Sequence, residues 1–341
     1  MKVNVLMPVY NGAEKLGRTV ASVLEQTWSD FSLVIVDDCS TDHTLNMIKA
    51  FAEKDQRIKL VQSEFNQGIV GALNKGLMHL DDDCEYVARI DCGDICARER
   101  LAKQVEYLER HPEVSLIGTE FEMFSESGEL PEGILRFQRF SNGLHHHGEI
   151  KDNFTVMAPF AHPTLMFRRS FFVENGLYSD AYDAAEDYEI VGRAISRSCQ
   201  VSKIPEVLVR CEFTPNQGIS QVKRIKQVKS ALRVKLDFMY SNYVTGPQHF
   251  FIWGSKDFAG YLEEELKNEK YQARVKAFTD FDESVWSQVK NGLPIIPPEI
   301  MIRSMEKGDR VITMWNIGRE EIVKYLDGHG LQRNVNYFVF S

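Results

Sequence analysis

The chain has 341 residues, 43% hydrophobic and 11% aromatic, which excludes disorder and suits packed cores in two domains of roughly 100–200 residues each. A net charge of −9 and a pI of about 5.6 exclude a general nucleic-acid binder. No apolar run reaches the roughly 18–20 residues that span a bilayer, and the opening MKVNVLMPVYNG enters a strand pattern too soon for a signal peptide.

From the amino terminus, strand and helix patterns alternate. NVLMPVY predicts a strand and GAEKLGRTVASVLEQ a helix, with Leu16, Val20, Val23 and Leu24 on one face. FSLVIVDD is a second strand, and a helix follows from Thr41 to Phe51, with Thr41 or Asp42 as N-cap. RIKLVQS, the helix IVGALNKGLMHL and the strand YVARID continue the series, and the helix RERLAKQVEYLERH closes it. Such alternation predicts an α/β fold with a mostly parallel sheet, and the near-continuous apolar strands fit a sheet covered on both faces.

The middle, about 115–220, reads as less regular, with the turn-rich FSESGELPEG, the run His145-His146-His147 and strand-like SLIGTEFEMF and TLMFRR. Residues 221–246 read as an amphipathic helical linker, with Val222, Ile225, Val228, Leu232, Leu236 and Met239 in one stripe. Its Lys223, Arg224, Lys226, Lys229, Arg233 and Lys235 make either a solvated face or a patch drawn to anionic lipid. Residues 247–341 read as a small α/β domain: HFFIWGSKDFAGYLEEEL as strand, turn and helix, KAFTDFDE as a second strand, NGLPIIPPE as a connector, then DRVITMW, EEIVKYLDGHG and NVNYFVF. Cys39, Cys84, Cys92, Cys96, Cys199 and Cys211 form no CxxC pair, so reduced thiols in a cytoplasmic protein are expected.

Three acidic clusters carry the chemistry. Asp37 and Asp38 end the second strand, where a carboxylate accepts from a nucleobase N–H or a ribose hydroxyl; the alternative is helix capping by the DCSTD run. Asp91 and Asp94 lie in the turn after the fourth strand, as hard oxygen ligands for Mg²⁺ or Mn²⁺ shared with a diphosphate, or as a plain Asp-Gly turn. Glu186 and Asp187 open a helical pattern, where an aspartate serves as general base or merely caps. The histidine run resembles a metal site but reads as a solvated loop.

Together the motifs resemble the inverting family 2 glycosyltransferases with the GT-A fold, over about residues 1–220. The resemblance rests on PVYN (Pro8–Asn11), VDDCSTD (Val36–Asp42), NQGIVGALNKG (Asn66–Gly76), ARIDCGD (Ala88–Asp94), RLAKQ (Arg100–Gln104), HPTLMFRR (His162–Arg169) and AEDYE (Ala185–Glu189). It implies a nucleotide-sugar donor, commonly a UDP-sugar. Pro8, Tyr10, Asn11, Asn66 and Gly68 would line its pocket, with Asp37 or Asp38 on the base and Arg89 or Arg100 on the leaving diphosphate. Asp91 and Asp94 would hold Mn²⁺ or Mg²⁺, although Gly93 stands where the family's usual Asp-x-Asp-Asp pattern has its second acid.

The resemblance further implies that Asp187 is the base of a single in-line displacement, with Glu186 orienting the site and His162 touching diphosphate or acceptor, or serving structure. Segment 210–220, with Gly218, would close over the donor. The acceptor would be a glycan or lipid-linked glycan of a bacterial surface polysaccharide, such as lipopolysaccharide or capsule. Peripheral contact with the inner face of the cytoplasmic membrane and a homo-oligomer are compatible with this reading. A non-catalytic nucleotide-sugar sensor or scaffold is the alternative. The carboxy-terminal unit resembles Rossmann-like domains. No NAD is expected there, because Gly254 and Gly260 lack the middle glycine of the dinucleotide fingerprint, although Asp280 and Asp282 end its second strand.

Overall fold

The computed structural model describes residues 2–182, 184–214, 221–314 and 319–340. It divides into two compact units, Met1–Lys151 with Ala158–Gly218, and Asp152–Met157 with Ile219–Ser341.

The first unit begins with β1 (Lys2–Val9), α1 (Ala13–Leu24), β2 (Phe31–Asp37), α2 (Thr44–Lys54), β3 (Ile58–Gln62), α3 (Gly68–Leu77) and β4 (Cys84–Arg89). Then come β5 (Ile95–Cys96), α4 (Arg100–Arg110), β6 (Val114–Phe124), α5 (Glu132–Asn142), α6 (His147–Asn153), β7 (Met166–Arg168), α7 (Arg169–Asn175), α8 (Glu186–Ser196) and β8 (Gln200–Glu212). Among the described residues its sheet runs β3-β2-β1-β4-β7-β6-β8-β5. β1 pairs in parallel with β2 and β4, and β2 with β3, so their carboxyl ends share one edge. β7 is antiparallel to β4 and β6.

Every residue of β2 is buried, and every residue of β1 after Lys2. The one amide in that wall, Asn4, is satisfied by Asp81, donating to its Oδ2 at 2.8 Å and accepting its backbone N–H at 2.7 Å. A Cβ at Gly76 would lie 2.2 Å from Leu6 Cδ1, so only glycine lets α3 sit this close to β1.

The irregular middle holds more structure than its composition suggests. α5 starts at Glu132, after the turn that FSESGELPEG makes around Gly128, α6 starts at His147, and β8 is a 13-residue strand reaching Glu212. Arg210, Cys211 and Glu212 of the expected closing loop therefore belong to the sheet, paired with Glu122, Met123 and Phe124. Residues 215–220, including Gly218, lie outside the described residues. His145 and exposed His146 lie in the loop before α6, and His147 opens that helix. His145 Nε2 pairs with Glu120 at 2.7 Å, and the Val201 N–H donates to His147 Nδ1 at 3.3 Å.

The second unit contains α9 (Gln221–Asn242), β9 (Gln248–Trp253), α10 (Asp257–Leu266), β10 (Ala273–Thr279), β11 (Val289–Lys290) and β12 (Leu293–Ile296). α11 (Pro298–Ser304), β13 (Arg310–Met314), α12 (Arg319–Gly328) and β14 (Tyr337–Phe340) complete it. Its strand order is β11-β12-β10-β9-β13-β14, parallel from β12 to β14. NGLPIIPPE, expected as a connector, supplies β12. Pro294 is tolerated because it faces only the short antiparallel β11.

α9, expected as a linker, adds Leu232, Leu236 and Met239 to this unit's core, while Val222 of the expected stripe is 77% exposed. Of the basic residues of α9, Lys223, Arg224 and Lys226 are exposed. Lys229 and Arg233 pair with Glu264 and Glu265, and buried Lys235 donates to the Val156 carbonyl at 3.1 Å. No helix among the described residues is long and apolar enough to cross a membrane.

Candidate active site

The acidic strand ends converge on the carboxyl edge of β2, β1 and β4, where ligands bind in open α/β sheets. The loop after β1 is fastened to the loop after β2. Asn11, at φ 51°, donates its N–H to Ser40 Oγ at 3.0 Å and accepts the Thr41 N–H at 2.8 Å. Gly12 N–H reaches Thr44 Oγ1 at 2.8 Å and Ala13 N–H reaches Asp42 Oδ2 at 3.2 Å, so the DCSTD run caps α1 as well as starting α2. Against the opposing effect of burial, the Thr44 hydroxyl and N–H, with the Ala13 N–H, hold the Asp42 carboxyl below its usual range. Pro8 is buried at the end of β1, and Tyr10 stands 50% exposed beside it.

The neighbouring aspartates differ. Asp38 accepts the N–H groups of Gln67 (3.0 Å) and Gly68 (2.8 Å), which caps α3. Asn66 Oδ1 also accepts the Gly68 N–H, at 3.2 Å, and Gly68 has φ +74°. Among the described residues Asp37, fully buried, receives only a 3.4 Å contact from Ser40 N–H, and its Oδ1 has no partner. An unpartnered buried carboxylate oxygen is costly unless something fills the place.

Arg89 lies at the centre and is 1% exposed. It donates to the Leu6 carbonyl (3.1 Å), the Ile90 carbonyl (2.5 Å), His162 Nε2 (3.3 Å) and Asp91 Oδ1 (2.5 Å). The Tyr178 hydroxyl lies 2.8 Å from the same His162 nitrogen. Burial, and then the Arg89 charge, push His162 well below its ordinary pKa, so it is a neutral acceptor rather than a cation. Arg100, fully buried, is spent on Gln104 Oε1, Cys96 Sγ and the Arg89 and Leu165 carbonyls. The expectation that Arg100 touches the diphosphate is therefore corrected: its guanidinium braces the end of β4. Arg89 likewise presents no exposed face, and its ion-pair partner is Asp91.

Glu186 and Asp187 open α8. Glu186 is 7% exposed, its Oε2 has no partner among the described residues, and burial, then the Asp187 charge, raise its pKa to about 7. Half-buried Asp187 accepts the Tyr188 N–H at 2.7 Å, and burial raises its pKa too. Asp91 and Arg89 act electrostatically on both acids, which places the donor-side and α8 carboxylates in one neighbourhood. Tyr178 belongs to the same network, and the sequence held no signal for it beyond its position in a loop.

The fit to a divalent ion is poor. Asp91 offers a 41% exposed carboxylate, paired with Arg89. Asp94 turns inward: it is 4% exposed and accepts the Glu212 N–H at 2.7 Å, and burial, then the Asp91 charge, raise its pKa to about 8. Asp91 and Asp94 therefore do not form the expected two-carboxylate metal site.

Residues 4–174 match the profile of glycosyl transferase family 2. The chain is 29% identical over 256 residues to the amylovoran biosynthesis glycosyltransferase AmsE of Erwinia amylovora, covering 73% of this chain and 91% of AmsE. It is 35% identical over 175 residues to the putative glycosyltransferase EpsE of Bacillus subtilis, covering 50% and 58% of the two chains. Among solved structures it is similar to S. aureus TarS in complex with UDP-GlcNAc (TM-score 0.57, 18% identity, 80% of this chain and 74% of that one). It is also similar to the mannosyltransferase PcManGT of Pyrobaculum calidifontis in complex with GDP-Man and Mn²⁺ (TM-score 0.53, 22% identity, 68% and 62%). The profile spans half of the chain, and the acidic edge it covers is the one built above: the chain belongs to glycosyltransferase family 2 and has the GT-A fold.

Proposed function

We propose that this glycosyltransferase moves a sugar from a nucleoside-diphosphate sugar, a UDP-sugar first among candidates, to a hydroxyl of a glycan or lipid-linked glycan in bacterial surface polysaccharide synthesis. The observation that carries the reading is the pair of buried carboxylate oxygens without a partner among the described residues, Asp37 Oδ1 at the β2 end and Glu186 Oε2 on α8, the latter in the electrostatic reach of Arg89 and Asp91. Asp37, rather than Asp38, has an acceptor left for a base N–H or a ribose hydroxyl, since Asp38 is committed to α3. The name of AmsE supports the acceptor class, and the UDP-GlcNAc bound to TarS supports the donor class.

The reaction is a single displacement with inversion. Asp187 takes the proton of the acceptor hydroxyl as its oxygen bonds to the anomeric carbon. The bond from that carbon to the diphosphate oxygen breaks, and the nucleoside diphosphate leaves. Glu186, holding its proton up to about pH 7, orients the acceptor by hydrogen bonding. A binding-only sensor is the second reading, favoured by Gly93 and by the inward turn of Asp94.

The test is nucleotide release from UDP-, GDP- and dTDP-sugars with candidate glycan acceptors, with the product anomer read by NMR. Turnover with inversion, cut about 10²–10⁴-fold by Asp187→Asn at unchanged donor affinity, is expected. A retained anomer, or full turnover by the variant, would sink the assignment. Donor binding without release under any acceptor favours the sensor.

A further inference from the structure

The backbone at position 93 favours glycine, and a larger residue would have to displace the Glu212 carboxylate. The φ of Gly93 is +114°, and a Cβ there would lie 2.4 Å from Glu212 Oε2. The Glu212 carboxylate, reaching in from the end of β8, thus fills the space of the acid that the turn lacks. It cannot serve a divalent ion freely, because Lys15 Nζ lies 2.9 Å away and Arg18 Nη2 2.6 Å away. Both cations come from α1 and crowd the same point: Lys15 Cδ and Arg18 Nη2 are each 3.5 Å from the Cβ position of residue 93.

The cluster is built rather than incidental. Arg18 Nε donates to the Gly93 carbonyl at 2.8 Å, Gly93 N–H donates to Thr19 Oγ1 at 2.9 Å, and Lys15 Nζ donates to Thr214 Oγ1 at 2.8 Å. The Glu212 side chain is 6% exposed, whereas Lys15 and Arg18 are 26% and 28% exposed and keep a face outward. Arg18 also meets the mostly exposed Glu126 at 2.6 Å. Lys15 and Arg18 stand against buried Glu212 and the solvent-screened Glu126, and Asp91 is already balanced by Arg89. A divalent cation placed here meets Lys15 and Arg18 and a carboxylate already engaged by both, while a diphosphate meets two cations for which Glu212 is the buried competitor.

Building on the nucleotide-sugar reading above, we propose that Lys15 and Arg18, held over Gly93 by Glu212, supply positive charge to the donor diphosphate where the turn lacks its second acid. Diphosphate binding then survives removal of divalent metal.

Calorimetric binding of UDP, GDP and dTDP to the full chain, in EDTA and in Mn²⁺, tests this. At least one nucleotide should bind in EDTA, with an affinity that Mn²⁺ changes less than about fivefold, below the usual range for coupled sites. Lys15→Met keeps the side-chain stem and should weaken binding in EDTA about tenfold or more, the scale of one charge-assisted hydrogen bond, at an unchanged melting temperature. Glu212→Gln frees the two cations and should tighten binding. Binding abolished by EDTA, or untouched by Lys15→Met, overturns the proposal. If no nucleotide binds in either condition, the nucleotide-sugar reading itself fails and this inference falls with it.

Discussion

Glu186→Gln is expected to stabilise the first unit at alkaline pH while impairing transfer. The Glu186 carboxyl rises from an ordinary 4.5 to about 7, chiefly through burial and then through the Asp187 charge. Below the unfolded value both states carry the proton and the group contributes nothing to the pH dependence. As pH rises toward 7 the unfolded chain loses the proton and the native state keeps it, so the cost of the native carboxylate accumulates; above 7 it is fully present. The interval corresponds to about 3 kcal/mol. Glutamine has the same shape without the charge, so the variant should gain up to about 3 kcal/mol at pH 8 and almost nothing at pH 4. Urea unfolding read by hydrogen exchange in β1 and β2 peptides isolates this unit from the second. A gap between variant and parent that is equal at both pH values would refute the reasoning, as would a variant less stable at pH 8.

Asp94→Asn should act in the same direction, because that carboxyl is raised to about 8 and the amide oxygen can still accept the Glu212 N–H; a loss of urea stability at pH 9 would count against this. Asp38→Ala leaves the Gln67 and Gly68 N–H groups without their acceptor and should cost about 1–2 kcal/mol in thermal unfolding. Asp37→Asn should leave stability close to that of the parent and weaken nucleotide binding about tenfold, the scale of one lost charged hydrogen bond. Equal affinity by calorimetry would remove Asp37 from the nucleotide pocket.

Much of the first half was legible because its strands are continuous apolar runs that end in acids, and burial on both faces leaves such runs little choice. The middle resisted because its elements are held by long-range contacts that leave no local period. β8 contains Lys203, Glu206 and Arg210, yet it pairs along almost all of β6. Lys203 is buried by donating to the Pro159 carbonyl at 2.7 Å and to Ser141 Oγ at 3.0 Å, which no pattern in sequence announces. At the site, residue types were readable and their allegiance was not. Asp37 and Asp38 are adjacent and chemically identical, but β2 ends at Asp37, and only the fold decides which of them meets the N–H groups of α3. Arg100 shows the same limit, since a basic residue opening a helix near an acidic turn suggests diphosphate until its carbonyl partners are seen.

Arg89 explains why these motifs travel together. A guanidinium buried at 1% exposure is tolerable only when its donors are matched, and here the matching groups come from three separate stretches of chain. Leu6 supplies a carbonyl from β1, Ile90 a carbonyl beyond β4, His162 a ring nitrogen from the HPT turn, and Asp91 the one charged partner. Arg100 then takes the Arg89 carbonyl, and Gln104 takes the Thr164 carbonyl at 2.9 Å, so the RLAKQ helix locks the HPT turn against the strand end. The consequence for function is specific. Asp91 is fixed by a cation that cannot move, and that same cation acts on Glu186 and Asp187. Truncating Asp91 to alanine would strand a buried charge, a loss of about 3–5 kcal/mol that mixes folding with catalysis. Asp91→Asn keeps an oxygen for Arg89 and is the substitution that reads the role of the carboxylate charge alone.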